Sequence, residues 1–405
     1  MLKITGSKSI SNRVLIMAEL AEEQEGEIEF ANLSKADDTI RLEFYLNLIR
    51  SCSDQNLPLV INTENAGTVL RFLTSFLLKK SGKWLLTGSE RMQKRPIGIL
   101  VSSLQKLGAD ISYSGKEGFP PLLIKGSKLS GGELEMDASV SSQFITSLMM
   151  IAPLMNKGLT INFSEKPVSF PYIQMTGKLM KEFGVDVELK KKSVKINPSE
   201  YQIKKISIEP DWSSASYWYE VVALADKAEL FLEGFTKESV QGDSCVWEIF
   251  KELGVNTRFE SNGIRLASSA KCTTHFNYDF SDSPDLVPAV LTTCAAKDIS
   301  ATITGVDHLR HKESDRMKAL SNELEKIGAN ISEKNGNFNL NINKNRSIVQ
   351  NIVFETYKDH RMAMCFAPLV IMFDHIVIKD KNVVNKSYPT FWEDLEKLKF
   401  VKLNS

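Results

Sequence analysis

The run His308-Leu309-Arg310-His311-Lys312-Glu313-Ser314-Asp315-Arg316 sets a carboxylate, Glu313, between two cations, Lys312 and Arg316. Cations at this spacing can hold an anion, and an acid held among them can pass a proton. Met317, Leu320, Leu324 and Ile327 follow at helical spacing and Gly328 stands at the expected stop, so the pattern predicts a helix with Lys312, Glu313 and Arg316 in or beside its first turn. A helix N-terminus already carries about half a positive charge, and each cation placed there costs roughly 0.3–1 kcal/mol. A bound anion removes the conflict. Taken alone, the run equally fits a solvated helix start in which Glu313 and Asp315 neutralise their neighbours.

The same arrangement recurs along the chain. Ser7-Lys8-Ser9-Ile10-Ser11-Asn12-Arg13 precedes the apolar run Val14 to Leu20; Asn65-Ala66-Gly67-Thr68 leads to Arg71; Arg91-Met92-Gln93-Lys94-Arg95-Pro96 leads to a helix expected over 97–107; and Asp359-His360-Arg361 opens another. Basic residues thus mark five expected helix starts, around Lys8, Arg71, Arg91, Lys312 and Arg361. At about 0.3–1 kcal/mol each, the combined cost reaches a few kcal/mol unless anions sit where the starts converge. This points to a small polyanionic substrate. Lys8-Ser9 is not a phosphate-binding P-loop, since the G-x-x-x-x-G-K-[ST] spacing is absent. Ser141 and Ser142 are competent N-caps for the helix expected from Phe144, and with Gln143 they also make a neutral surround for a phosphate.

Four expected helices close alike, at Leu107-Gly108-Ala109-Asp110, Phe183-Gly184-Val185-Asp186, Leu253-Gly254-Val255-Asn256 and Ile327-Gly328-Ala329-Asn330. Each glycine reads as a C-cap followed by a strand. The glycines lie 76, 70 and 74 residues apart, long enough for a β-α-β-α-β-β unit rather than a small solenoid repeat. An α/β (α+β) chain of 405 residues is then expected to form two domains, with a crossing near 205 where Ile206 to Glu209 leads to Pro210-Asp211-Trp212.

Fifty basic and fifty acidic residues cancel, which argues against a chain that coats nucleic acid or an acidic membrane. Five cysteines without a C-x-x-C pair fit a reducing compartment and offer no zinc site. No apolar run approaches the roughly 18 residues needed to span a bilayer, and a cytoplasmic location is expected.

Ser7 to Arg13, Asn65 to Arg71, Arg91 to Pro96, Ser141-Ser142-Gln143, Pro284-Asp285, Lys312 to Arg316 and Asp359-His360-Arg361 resemble, in order, the signatures of the 5-enolpyruvylshikimate-3-phosphate synthase family, over nearly the whole chain. The resemblance implies an inside-out α/β barrel architecture of two similar domains, each of three β-α-β-α-β-β repeats. Residues 8–208 would form the domain that mainly binds shikimate 3-phosphate. Residues 1–7 and 209–405 would form the domain that mainly binds phosphoenolpyruvate and carries the acid and base, with the active site in the cleft. It further implies a monomer that uses these two small molecules and no metal or cofactor.

Carried over by position, Ser9 and Arg13 would hold the shikimate carboxylate, Ser141, Ser142 and Ser169 its phosphate, and Gln143 and Tyr172 its ring. Lys8, Asp285 and Lys312 would also face this substrate. Lys8, Gly67, Arg91, Gln143, Arg316, Arg361 and Lys386 would surround phosphoenolpyruvate. The resemblance assigns catalysis to Asp285, Glu313, Lys8 and Lys386. Asp285 would take the proton of the 5-hydroxyl, and Glu313 would protonate the methylene carbon of phosphoenolpyruvate. Lys312 and Arg316 favour the ionised form of Glu313, so the acid role needs bound anions to offset them.

The chain departs from the family in carrying Phe72 after Arg71, where proline or another small-pocket residue is common, in reading Pro210-Asp211-Trp212 at the crossing, and in being short near Ser51 to Leu59. Two other readings are an enolpyruvyl transferase acting on UDP-N-acetylglucosamine and a non-catalytic anion-binding protein. The first usually carries cysteine or aspartate in the loop before the Arg-Pro pair, and Gly88 to Pro96 has neither.

Overall fold

A computed structural model describes residues 1–21, 29–52, 57–202, 205–343 and 351–398. Residues 53–56 of the short stretch near Ser51 to Leu59 lie outside it. The chain divides into two compact units: an N-terminal unit of Lys8–Ser34 and Asp38–Ile208, and a C-terminal unit of Met1–Ser7, Lys35–Asp37 and the chain from Glu209 onward.

One strand pattern is used repeatedly. In the N-terminal unit, Leu59–Asn62 pairs in parallel with Lys83–Thr87, which runs antiparallel to Leu122–Lys125, itself antiparallel to Asp110–Tyr113. Gly132–Met136, Leu159–Phe163, Ser193–Ile196 and Val187–Lys190 repeat that order and those senses. In the C-terminal unit, so do His275–Asp279, Ser300–Thr304, Asn337–Ile342 and Ala329–Lys334. The parallel first pair requires a crossover, supplied by Gly67–Phe76, Ser142–Ile151 and Val287–Ala296 respectively.

A fourth copy is completed by the start of the chain. Glu229–Glu233, Gly263–Ser268 and Val255–Glu260 form an antiparallel sheet, and Leu2 bridges Leu232 in parallel on its outer side. The Leu2 amide donates to Phe231 O and the Glu233 amide to Leu2 O, both at 2.9 Å. Among the described residues, the remaining repeat of each unit supplies a parallel pair, Phe30–Ala31 with Ile206–Ser207 and Ile352–Phe354 with Ile376–Ile378.

Gly108, Gly184, Gly254 and Gly328 all have positive φ, between 79° and 100°, so each helix ends in a conformation that glycine adopts without a Cβ clash. The helices sit inside and the sheets outside. Every residue of Ser142–Ile151 except Gln143 is buried, as is all of Val287–Ala296, which explains why these segments carry no charged residue. Each fully buried Leu, Ile, Phe or Met there contributes about 1.5–3 kcal/mol relative to exposure. Among the described residues no helix is long and apolar enough to cross a membrane.

Candidate active site

In the N-terminal unit the helices Lys8–Leu20, Gly67–Phe76, Ser142–Ile151 and Phe170–Glu182 pack on one another. Their contacts join equivalent depths: Arg13, Phe72 and Thr176 all lie in second turns and meet at one point. The helices therefore run the same way, and their N-termini gather at one end of the unit. Lys8, Ser9, Gly67, Ser142, Gln143 and Tyr172 all lie in first turns there, with Ser141 and Ser169 as N-caps.

Arg13 is buried. Its Nε donates to Thr176 Oγ1 at 2.7 Å and its Nη1 to Ser9 O at 2.8 Å, while Phe72 and Tyr172 offer ring faces 5.2 and 5.7 Å from Cζ. Burial lowers this guanidinium to about 10, so it stays charged at neutral pH. Its hydrogen bonds go to a hydroxyl and a carbonyl, with no carboxylate of the described residues among its partners. Two further guanidiniums close over Gly67, where an added Cβ would lie 2.7 Å from Arg71 Nη1 and 2.8 Å from Arg95 Nη1. A side chain at this position would have to displace the ends of both guanidiniums. Arg71 Nη1 donates to Gln143 Oε1 at 2.7 Å, and Gln143 Nε2 to Thr68 Oγ1 at 3.3 Å, which fixes the amide. Ser141 Oγ accepts from the Gln143 amide at 3.3 Å. Ser169, in the left-handed region at φ 53°, caps its helix without a side-chain bond. Lys8 pairs with Asp38 at 3.0 Å.

The C-terminal unit gathers helix starts in the same way but adds acids. Asp285 lies in the turn Pro284–Leu286 that runs into Val287–Ala296, Arg316 opens Arg316–Leu324, and Arg361 sits in the first turn of His360–Phe366. Arg316 donates from Nη1 to Asp285 Oδ1 at 2.9 Å, from Nη2 to Glu313 Oε2 at 3.0 Å and from Nε to Asp359 Oδ2 at 2.8 Å. Arg361 Nη2 reaches Asp285 Oδ2 at 2.8 Å; Lys386 Nζ lies 3.4 Å from Glu313 Oε1, and Lys312 Nζ 4.0 Å from Asp285 Oδ1.

Burial pushes Asp285 up, but Arg361, Lys312 and Arg316 outweigh it and hold its carboxyl well below the usual range. Asp243 is the reverse case: burial, reinforced by nearby Asp285, pushes it up to about 7, with Ser213 Oγ donating to its Oδ2. The Arg316 guanidinium is raised because Asp359, Glu313 and Asp285 outweigh its burial.

Asp359 organises the cluster. Wholly buried, it caps its helix by accepting from the Arg361 amide at 3.0 Å, and it also accepts from Ser314 Oγ and Arg316. Tyr357 and Lys358 precede it at φ 53° and 55°, two successive non-glycine residues in the left-handed region at a cost of roughly 1–3 kcal/mol each.

Some expected positions differ. Arg71 lies in a second turn, not at a helix start; Arg91 leads only into the short turn Met92–Lys94, and the helix after it begins at Gly98. Lys312 closes the turn Asp307–His311, and Asp315 is the N-cap of the next helix. Arg91 is exposed, whereas Arg95 is buried over Gly67. Arg95 precedes Pro96, which disfavours helical backbone; it is extended, at φ −90° and ψ 129°, where the chain turns inward. That pre-proline position was the available signal for preferring it. Asp359 stood in the quoted run Asp359-His360-Arg361 without a role, and neither Asp243 nor Tyr217, whose hydroxyl accepts from Arg361 Nη1 at 3.4 Å, was assigned one. Among the described residues no group of acids, histidines and cysteines could hold a metal ion.

The sequence model of EPSP synthase (3-phosphoshikimate 1-carboxyvinyltransferase) matches residues 1–395. A 3-phosphoshikimate 1-carboxyvinyltransferase of Bacteroides fragilis is 41% identical over 98% of this chain and 95% of its own, and that of a Marinomonas species is 34% identical over 97% and 95%. The solved EPSP synthase of Acinetobacter baumannii superposes with a TM-score of 0.75 at 21% identity, covering 98% of this chain and 94% of that one, and shares the fold. A family model that matches residues 1–395 and a relative 41% identical over 98% of the chain make this chain a member of the EPSP synthase family.

Proposed function

We propose that the two clusters serve one reaction, the N-terminal unit holding shikimate 3-phosphate and the C-terminal unit supplying acid, base and most contacts to phosphoenolpyruvate. The chain transfers the enolpyruvyl group from phosphoenolpyruvate to the 5-hydroxyl of shikimate 3-phosphate, a step of aromatic amino acid biosynthesis. The reading is carried by the different partners of the buried cations: Arg13 has two neutral acceptors, while Arg316 has three carboxylates.

In this reading Arg13 and Ser9 bind the substrate carboxylate, Ser141, Ser142 and Ser169 its phosphate, and Gln143 and Tyr172 its ring. Gly67 leaves room for the phosphoenolpyruvate phosphate against Arg71 and Arg95, an assignment that moves the expected role of Arg91 to Arg95. Arg316, Arg361 and Lys386 bind its remaining charge, with Lys8 at the junction of the two substrates. Guanidinium suits both anions because its paired N–H donors match carboxylate and phosphate oxygens.

The resting ion pairs define what binding must change. Substrate oxyanions compete with Asp285 and Glu313 for Arg316, Arg361 and Lys386; each carboxylate released from a cation gains proton affinity. Asp285 then takes the 5-hydroxyl proton as the oxygen attacks the central carbon of phosphoenolpyruvate, and Glu313 delivers a proton to the methylene carbon, giving a tetrahedral intermediate. Loss of phosphate, which leaves with the proton held by Asp285, and return of a methyl proton to Glu313 restore the double bond, the Asp285 carboxylate and the protonated Glu313. One carboxyl thus serves as acid and then base.

Purified protein is expected to release phosphate from phosphoenolpyruvate only when shikimate 3-phosphate is present. Release driven by UDP-N-acetylglucosamine would overturn the substrate assignment, and binding without turnover would overturn the catalytic one. On this reading the protein works in the cytoplasm as a monomer; a solution mass measurement with and without substrates checks the oligomeric state.

A further inference from the structure

We infer that Phe72 is a positioning residue for the substrate carboxylate, its ring face holding the Arg13 guanidinium charged and aimed without a counter-ion. The inference rests on the reading of Arg13 as a carboxylate host.

Three helices build the arrangement. Arg13 comes from Lys8–Leu20, Phe72 from Gly67–Phe76, and Tyr172 with Thr176 from Phe170–Glu182. Thr176 Oγ1 accepts from Arg13 Nε and itself donates to Tyr172 O at 2.8 Å, so the hydroxyl is fully committed. Ser9 O holds Nη1. These two bonds fix the Nε edge and one end of the guanidinium, while Nη2 donates to none of the described residues. The plane is then held by Phe72 and Tyr172 at 5.2 and 5.7 Å, and Phe72 is 1% exposed, so its ring has no freedom to leave.

A buried guanidinium needs compensation for lost water. A carboxylate at position 72 would supply it, but would also occupy the donors that the substrate needs, as Asp285 and Glu313 occupy those of Arg316. An aromatic face attracts the cation through its quadrupole and accepts no N–H bond in the guanidinium plane. The charge stays available. An aliphatic side chain of similar size would fill the space and leave only the Tyr172 face and the two hydrogen bonds to compensate the cation.

The test replaces Phe72 with 4-fluoro-, 3,5-difluoro- and 3,4,5-trifluorophenylalanine in the full-length protein, which drains the ring quadrupole at nearly constant volume, alongside Arg13→Ala. The expected result is a stepwise rise in KM for shikimate 3-phosphate, reaching about 5-fold for the trifluoro ring, with kcat, KM for phosphoenolpyruvate and the thermal midpoint unchanged. A flat KM across the series, while Arg13→Ala raises it, would overturn the role of Phe72. An unchanged KM in Arg13→Ala would instead overturn the carboxylate assignment beneath it. Equal losses in kcat and in both KM values would mark Phe72 as a packing residue only.

Discussion

The two units solve the burial of arginine in opposite ways. In the N-terminal unit Arg13 is surrounded by a hydroxyl, a carbonyl and two rings; in the C-terminal unit Arg316 is saturated by Asp285, Glu313 and Asp359. A cation among neutral groups keeps its charge for a ligand and suits tight, passive holding. A cation among carboxylates gives up a pair whenever an anion binds, and so couples binding to the proton affinity of an acid. On the proposed reading, the same helix framework supplies a grip in the N-terminal unit and acid–base groups in the C-terminal unit.

The sharpest attempt to break that comparison is Glu313→Gln, which keeps the shape and a donor but removes the proton carrier. Turnover is expected to fall by about 10²–10⁴-fold with both substrates still bound, measured by phosphate release and by calorimetry. A near-normal rate would move the chemistry elsewhere. Next in size, Arg13→Ala should raise KM for shikimate 3-phosphate by roughly 10–100-fold, the worth of a charged hydrogen bond, and change kcat little. If kcat fell instead, the N-terminal unit would be more than a grip.

Asp359→Asn tests whether acids in the C-terminal unit organise as well as react. Removing one partner of this buried pair is expected to destabilise the protein by about 3 kcal/mol and to lower kcat roughly 10-fold through a misplaced Arg316, read from denaturation and steady-state rates. Arg95→Lys should raise KM for phosphoenolpyruvate by about 10-fold and Arg91→Lys by less than about 2-fold, since a point charge does not replace a planar fork. Equal effects would cancel the preference for Arg95.

The last test leaves turnover aside and concerns an acid of the C-terminal unit with no cation partner among the described residues. Glu220 is wholly buried, neither carboxyl oxygen has a partner among the described residues, and burial raises it well above 4.5. The native state then holds a proton that the unfolded chain loses, so wild-type stability falls as pH rises above the unfolded value, by about 1.4 kcal/mol per pH unit for one group. Glu220→Gln should remove that slope, and its thermal midpoint should gain on wild type from pH 5 to pH 8. A constant difference would show that Glu220 titrates normally.

Much of the fold was legible. The Gly-capped repeat reports a local requirement, a left-handed residue after each helix, and the parallel-then-antiparallel sheets follow from the strands it separates. The candidate site was legible in part, as runs of residues rather than as roles. Arg316, Asp285, Glu313 and Arg361 stood in recognisable runs, but Lys312 and Arg71 were read as helix-start cations when Asp315 and Gly67 open those helices. Propensity fixes a boundary only to within a few residues, and here capping by Asp315 decided it.

Sequence alone determined the repeat, the runs that carry chemistry and the likeness to one family, because helix caps, strand alternation and motif order are properties of neighbouring residues. Tertiary structure decided that Arg95 rather than Arg91 faces Gly67, that Asp359 joins Arg316 across 43 positions, that Arg13 has aromatic faces in place of an acid, and that Glu220 has no partner among the described residues. Those outcomes depend on the depth at which packed helices meet, and no spacing along one helix encodes where another will touch it.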